Sequence, residues 1–295
     1  MEDNKSSNKK VKKVASKRSR RLRFFIISCV LVVIAAFVGN FAGNWIVNMY
    51  LDKGDFSASE NNLRESVTMI TQWQRQDVST LTPMQAYLVA EQNLKEIEKY
   101  TMNVTGSINA GIVQGIHSYN YRFCDEYYSE YISESSLVKV AKAYKYDATL
   151  TENSVVMYVG ENTSPTTANW GEPTYTTYEE YKGLSGVYPG EYLDYIVSRY
   201  TIKEEECTPL VLNEKGNYNF TLSLNERSAV NYVKKMQFIA GTQATKFDDI
   251  KLYVEIDAQG RFVSINVKEK YIALGMNATS DIVQSFDYVT DIIRK

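Results

Sequence analysis

Catalysis in this sequence would have to come from a single histidine and a few short acidic clusters. His117 is the only histidine, which excludes a metal site built from several imidazoles. The acidic clusters are Asp125-Glu126, Glu204-Glu205-Glu206 and Asp248-Asp249. Two carboxylates hydrolyse a bond only when they face each other across a cleft, and adjacency in sequence does not create that geometry. We therefore expect solvated acidic strand ends, no metal, no cofactor and no enzymatic activity.

The three cysteines are the remaining residues with reactive side chains. Cys29 ends the tetrapeptide IISC, which has the form of a lipoprotein cleavage box. Only Phe24–Ser28 separate it from Arg23, however, and a secretory apolar region has about 7–15 residues. We interpret Cys29 as a buried membrane thiol. Cys124 and Cys207 form an even pair that could be bridged in an exported domain, but spacing gives no geometry, so both states stay open.

An apolar run close to the N-terminus predicts a membrane anchor. Residues 24–47 contain no ionisable side chain, and as a helix rising about 1.5 Å per residue they would span a hydrocarbon core of about 30 Å. Residues 1–23 carry ten Lys or Arg against two acids, and such positive flanks stay in the cytoplasm. The sequence therefore predicts a single-pass cell-membrane protein with a cytoplasmic tail and an extracytoplasmic C-terminal domain.

The charge balance supports the same division. The chain has a net charge of −2, but residues 24–295 alone sum to −10. Juxtamembrane basic residues set topology and contact anionic lipid headgroups. We expect membrane contact and no nucleic-acid partner.

Small residues are spaced along the predicted anchor. Ala35, Gly39 and Gly43 recur every four residues, which makes a groove that lets two helices approach closely. Two interpretations remain open. Glycine is either tolerated near the membrane exit, or this face holds a homodimer or a partner helix.

The elements of the exported part follow from its hydrophobic periodicity. Residues 48–81 read as a juxtamembrane linker with a short amphipathic helix, and residues 82–295 as one domain. That domain begins with a helix over Pro83–Lys99, capped by Thr82 and Gln85. Alternating strands follow, which predict an antiparallel sheet with one face covered.

The second half of the domain has fewer regular signals at its start. Residues 161–190 are predicted to be a long irregular segment with one helical turn at TTYEEYKG. Glu191–Tyr200 is predicted to be a short helix. A strand at GNYNFTLSLN, a helix after Asn225, a hairpin turning at Asp257–Gly260 and a final strand over Asp281–Val289 complete the pattern. The predicted fold is α+β, a curved antiparallel sheet covered by two or three helices.

The order of these elements resembles the LolA/LppX-like lipoprotein-carrier fold. Four segments are similar to segments of extracytoplasmic proteins of Gram-positive bacteria associated with that fold. They are YISESSLVKVAKAYKY, TTYEEY, GNYNFTLSLNERSAVNYVKKMQ and FDDIKLYVEIDAQGRFVSINVKEKY. The resemblance covers about residues 82–289. It implies a half-barrel whose concave face is lined by helices, in some members around an acyl-chain cavity. Those carriers are soluble or lipid-anchored, so a spanning helix argues against shuttling.

Two functions follow for the exported domain. The first is binding of a lipid or another amphiphile in a cavity between helix Pro83–Lys99 and the sheet. The second is a cell-envelope scaffold or protein-interaction module without a ligand cavity. The residues expected to line or fill the space are Tyr87, Leu94, Ile97, Val104, Tyr119, Tyr121, Val138 and Tyr144.

Tyrosine is unusually frequent in the middle of the chain. Of 23 tyrosines, 15 lie between Tyr119 and Tyr200. Tyrosine suits a half-solvated sheet, since its ring packs on the core and its hydroxyl reaches water. Rigid rings are also good anchors for a partner. We predict an interaction surface formed by Tyr175, Tyr178, Tyr181 and Tyr188.

Overall fold

The computed structural model describes residues 60–135, 139–147, 154–241, 244–273, 275–288 and 292. All of these belong to one compact unit, Tyr50–Lys295. The predicted tail, the predicted membrane helix with Ala35, Gly39 and Gly43, and Val138 lie outside the described residues. Within the described part of the chain, no helix is long and apolar enough to cross a membrane.

Five α-helices occur in the described residues. They are α1 (Glu60–Leu63), α2 (Val67–Trp73), α3 (Pro83–Glu96), α4 (Tyr178–Ser185) and α5 (Val230–Ala240). The predicted capping box of α3 is confirmed, because Gln85 N donates to Thr82 Oγ1 and Thr82 N donates to Gln85 Oε1. The helix ends at Glu96, before the predicted Lys99, because Lys99 already pairs in the sheet.

The strands form one large antiparallel sheet that curves but does not close. Along the sheet the order is β6-β5-β4-β3-β2-β1-β12-β11-β10-β9-β8, with β7 paired to β5. The strands are β1 (Lys99–Asn109), β2 (Val113–Phe123), β3 (Glu126–Glu134), β4 (Lys139–Asp147), β5 (Ser154–Ser164), β6 (Thr167–Trp170), β7 (Thr174–Thr177), β8 (Thr208–Leu212), β9 (Tyr218–Leu224), β10 (Ala244–Ile256), β11 (Phe262–Ala273) and β12 (Met276–Asp287). The predicted α+β class with a curved antiparallel sheet is confirmed.

Several local predictions in the C-terminal half are also confirmed. Asn225 Oδ1 accepts from Arg227 N at 3.0 Å and starts a 3-10 turn that continues into α5. The hairpin between β10 and β11 turns at Asp257–Gly260, where Gly260 N donates to Asp257 O at 2.9 Å. Asn93 Nδ2 on α3 donates to Gly260 O at 2.8 Å and joins that turn to the helix.

Of the predictions for residues 161–200, the helical turn at TTYEEYKG is confirmed, because α4 begins there with Thr177 as its cap, whereas the irregular stretch before it and the helix after it are wrong. The segment that was predicted to be irregular contains two short strands, β6 and β7, that pair with β5 at the sheet edge. Two of its three prolines, Pro165 and Pro173, lie between strands, where their missing N–H removes no ladder hydrogen bond. The predicted helix at Glu191–Tyr200 is irregular chain, because its buried side chains contact different parts of the fold instead of one face of a helix.

The two faces of the sheet carry different residues. Directly paired residues share a face, so the pairs Val104–Ser118 and Asn103–Tyr119 place Val104 and Tyr119 on opposite faces. The helix side holds the main core, whose largest fully buried members include Tyr87, Phe262, Met102, Leu222, Leu224, Ile250, Leu252, Ile256 and Ile265. The other face holds a smaller hydrophobic cluster that is mostly aromatic. Its buried members are Tyr121, Tyr128 and Ala143, and Tyr119, Phe123, Tyr158, Trp170 and Ile292 pack beside them.

Candidate functional site: a tyrosine pocket at the end of helix α3

The predicted ligand-binding residues do not line one common cavity, although Leu94 lines the pocket described below. Tyr87, Leu94, Val104 and Tyr144 are buried in the main core, and Ile97 packs against its margin. Tyr119 and Tyr121 lie on the opposite face of the sheet. Their alternation along β2 indicated correctly that they share a face. Which face the helices cover depends on the tertiary fold.

The space between α3 and the sheet is occupied by side chains. The ring centroid of Tyr87 lies 5.2 Å from that of Phe262 in an edge-to-face contact, and Phe262 stacks on Phe286 at 5.3 Å. Tyr87 is only 1 % exposed. The centre of the α3 contact is therefore a packed aromatic core.

A pocket of about 250 Å³ opens at the C-terminal end of α3. It lies where that helix, the beginning of β1, the end of β2 and the chain after α4 meet. Its lining residues are Arg64, Glu91, Leu94, Lys95, Tyr100, Arg122, Tyr127, Tyr178, Tyr188, Pro189, Gly190, Glu191, Tyr192 and Leu193. Five of them are tyrosines, and the wall also carries both signs of charge.

One wall of the pocket is a cross-strand ladder. The register pairs Tyr100 with Arg122, Arg122 with Tyr127, and Tyr127 with Tyr146, so these four residues share one face across β1 to β4. The rings of Tyr127 and Tyr146 stack at 6.0 Å. The Arg122 guanidinium lies 5.3 Å from the centroid of Tyr127, within the range of a cation–π contact.

A second pair of rings adjoins this ladder. Tyr178 stacks on Tyr188 with centroids 4.9 Å apart, and Tyr178 also lies 5.0 Å from Tyr146. Burial, with Tyr146 and Glu191 nearby, raises the pKa of Tyr178 to about 12. Its hydroxyl therefore stays protonated at neutral pH and can donate a hydrogen bond.

The structure brings together two of the four residues predicted for the interaction surface. Tyr178 and Tyr188 line the pocket. Tyr181 is buried in the core, 5.4 Å from Tyr144 and 5.8 Å from Phe238 between ring centroids. Tyr175 is 68 % exposed on β7 and does not line the pocket.

The carboxylates in the pocket wall have partners. Glu91 Oε1 lies 3.5 Å from Arg64 Nη1 and 3.2 Å from Lys95 Nζ. Glu191 Oε2 accepts from Tyr188 N at 3.1 Å and lies 3.9 Å from Lys182 Nζ. These contacts hold the wall in place around the rings.

A smaller cavity of about 50 Å³ lies between α5 and the sheet. Lys235 Nζ donates to Asp194 Oδ1 at 2.6 Å at its margin. Nearby in the interior, burial raises the pKa of Glu269 to about 8, even though the Ser280 hydroxyl donates to this carboxyl and opposes the shift. A cavity of this size holds a few water molecules rather than an organic ligand.

The remaining sequence candidates lie apart from both cavities. Asp248 and Asp249 pair with lysines of their own strand, and Glu206 accepts from Ser223 Oγ at 2.7 Å. Cys124 and Cys207 are both free thiols. Among the described residues, no three His, Cys, Asp or Glu side chains group as a metal site would require.

Sequence reasoning missed most of the pocket. Tyr100, Arg122 and Tyr127 were not predicted, and Gly190 and Tyr192 were assigned no role although they lie in the tyrosine-rich part of the chain. The available signal was the alternation of β1 to β3, which places Tyr100, Arg122 and Tyr127 at the same end of adjacent strands. The contribution of Gly190 and Tyr192 had no comparable signal, because irregular chain has no period.

Comparisons with known proteins leave the family open. No family model matches the chain, so the LolA/LppX-like resemblance has no support from that side. No curated protein matches it either. Among solved structures, the crystal structure of MucB in complex with MucA(peri) is 4 % identical and aligns over 68 % of this chain and 93 % of that chain, with a TM-score of 0.11. The structure itself shows an α+β fold with a large unclosed antiparallel sheet.

Proposed function

We propose that this chain is a membrane-anchored, extracytoplasmic, non-enzymatic binding protein whose ligand site is the tyrosine pocket at the end of α3. The observation that carries the proposal is the pocket itself, about 250 Å³ walled by five tyrosines and by a few charged side chains. Binding sites combine apolar and aromatic walls with a few placed polar groups in this way. The anchor and the location rest on the apolar run of residues 24–47 and its basic flank.

The size of the pocket favours a compact ligand. Pockets for drug-sized ligands measure about 300–1,000 Å³, so about 250 Å³ suits a single ring, a headgroup or one side chain. The packing of the Tyr87 ring against Phe262 leaves little room for an acyl chain under α3. An amphiphile would therefore bind through its ring or headgroup, at the end of the helix.

Native mass spectrometry of the full chain in lipid nanodiscs, followed by solvent extraction, tests this proposal. Wild type is compared with Tyr188→Ala, which removes one wall, and with Tyr175→Ala, an exposed tyrosine outside the pocket. We expect a bound mass in wild type and Tyr175→Ala that is lost in Tyr188→Ala. A mass retained equally by all three would locate the ligand elsewhere. No bound mass in any of them would favour the scaffold without a ligand.

A further inference from the structure

We propose that the tyrosine pocket selects ligands in which a carboxylate is attached to a ring, with Arg122 as the group that binds the carboxylate. This inference rests on the proposed function and adds the chemical class of the ligand.

Arg122 is held in place without using up its donors. Its Nε donates to Cys124 O at 3.2 Å and its Nη1 donates to Lys95 O, while its guanidinium carbon lies 5.3 Å from the centroid of the Tyr127 ring. A guanidinium has five N–H donors, and these contacts occupy two of them. The remaining N–H groups are carried by a side chain that lines the pocket.

The other cations of the wall are matched by acids. Arg64 pairs with Glu60 at 2.6 Å and with Glu91 at 3.5 Å, and Lys95 pairs with Glu91 at 3.2 Å. Within the described part of the chain, Arg122 is the lining cation that has no carboxylate oxygen within 4.0 Å. One positive charge is therefore available to a ligand.

The chemistry of this charge favours a carboxylate. A guanidinium presents a planar fork of N–H groups, which matches the two oxygens of a carboxylate, and its charge strengthens both hydrogen bonds. Since its backbone contacts and the Tyr127 ring already hold it, little side-chain freedom is lost on binding.

The rest of the pocket accommodates a ring. The stacked pair Tyr178 and Tyr188 adds aromatic surface to that of the ladder residues Tyr100 and Tyr127, which line the same pocket. Ring faces pack on such surfaces, and the tyrosine hydroxyls can bond to polar substituents at the ring edge. A flat aromatic acid and a pyranose acid share this chemistry, so the test includes both.

The experiment is isothermal titration calorimetry on the full chain in lipid nanodiscs. The probes are 4-hydroxybenzoate against 4-hydroxybenzyl alcohol, and D-glucuronate against D-glucose, so each acid has a neutral partner with a similar ring. We expect at least one acid to bind at least tenfold more tightly than its neutral partner. The pair that shows this difference identifies the aromatic or the sugar source.

Variants of Arg122 assign the effect to its guanidinium. Arg122→Gln should weaken binding of the acid by about tenfold to a hundredfold, the usual effect of losing a hydrogen bond to a charged group. The affinity for the neutral partner should stay unchanged. Arg122→Lys, which keeps the charge without the fork, should restore part of the loss. Arg75→Gln, an exposed arginine outside the pocket, should bind like wild type. Circular dichroism melts check that each variant is folded.

The outcomes separate the two proposals. Equal binding of acid and neutral partner, with loss of both in Tyr188→Ala, would overturn the carboxylate inference and leave the pocket as the binding site. Failure of both acids to bind at millimolar concentration would also overturn the inference. In that case the native mass spectrometry described above decides independently whether the pocket holds a ligand.

Discussion

Gly190 lies directly against the ring of Tyr127. A Cβ placed on Gly190 would stand 2.1 Å from Tyr127 Cδ1, and the φ of Gly190 is +87°. Glycine is therefore required here both for its backbone conformation and for the close approach. This contact joins the irregular chain after α4 to the β3 strand, and it forms one corner of the tyrosine pocket.

Replacing Gly190 by alanine should destabilise the domain and deform the pocket. The left-handed conformation and the overpacked methyl group together should cost about 2–4 kcal/mol. The measurement is the free energy of unfolding from urea denaturation. Gly111→Ala is the matched control, because Gly111 also has a positive φ of +76° but nothing within 4 Å of its Cβ position. Equal losses in the two variants would contradict the close contact.

Tyr87 tests whether the space under α3 is packed. Tyr87→Ala should lower the free energy of unfolding by about 3–5 kcal/mol, because the ring is buried against Phe262 and its removal leaves a cavity. Tyr253→Ala, on an exposed tyrosine of β10, should change the free energy by about 0.5 kcal/mol or less. A small loss at Tyr87 would instead indicate that its ring borders open space.

Glu269 should make the stability depend on pH. Burial raises the pKa of this carboxyl from 4.5 to about 8 in the folded chain, whereas in the unfolded chain it ionises near its ordinary value. Between pH 4.5 and 8 the unfolded chain binds fewer protons, so the free energy of unfolding falls as pH rises. The fall should amount to a few kcal/mol.

The Glu269→Gln variant isolates that effect. It should remove most of the slope between pH 5 and pH 7.5 and be more stable than wild type at the higher pH. Urea denaturation followed by tryptophan fluorescence at the two pH values measures it. Glu161→Gln, at an exposed position of β5, should keep the wild-type slope. An unchanged slope in Glu269→Gln would show that other groups control the pH dependence.

Cys124 and Cys207 should react at different rates. Cys124 is exposed. Cys207 is half-buried, its Sγ donates to Lys203 O at 3.3 Å, and burial raises the pKa of its thiol. A thiol-specific reagent at pH 7 should modify Cys124 first, because the thiolate is the reactive form. Peptide mapping identifies the modified residue, and failure to label either thiol before reduction would indicate a disulfide.

Local signals in the sequence were enough to predict most regular elements. The cap of α3 at Thr82, the cap at Asn225 and the turn at Asp257–Gly260 depend on residues close to one another in the chain, and all three are found in the structure. Strand alternation likewise indicated an antiparallel sheet. These features are determined by short-range hydrogen bonding and by the period of the apolar residues, which a sequence displays directly.

The position and lining of the pocket depend on contacts between distant parts of the chain. Arg122 and Tyr127 face it because the strand register places them on the helix side of the sheet, whereas Tyr119 and Tyr121 face the other way. The segment Glu191–Tyr200 gave a helical pattern in the sequence, but its side chains are buried against several elements and it stays irregular. Alternation reveals which residues share a face of a strand. Only the packing of the helices decides which face they cover, and therefore where a ligand site can form.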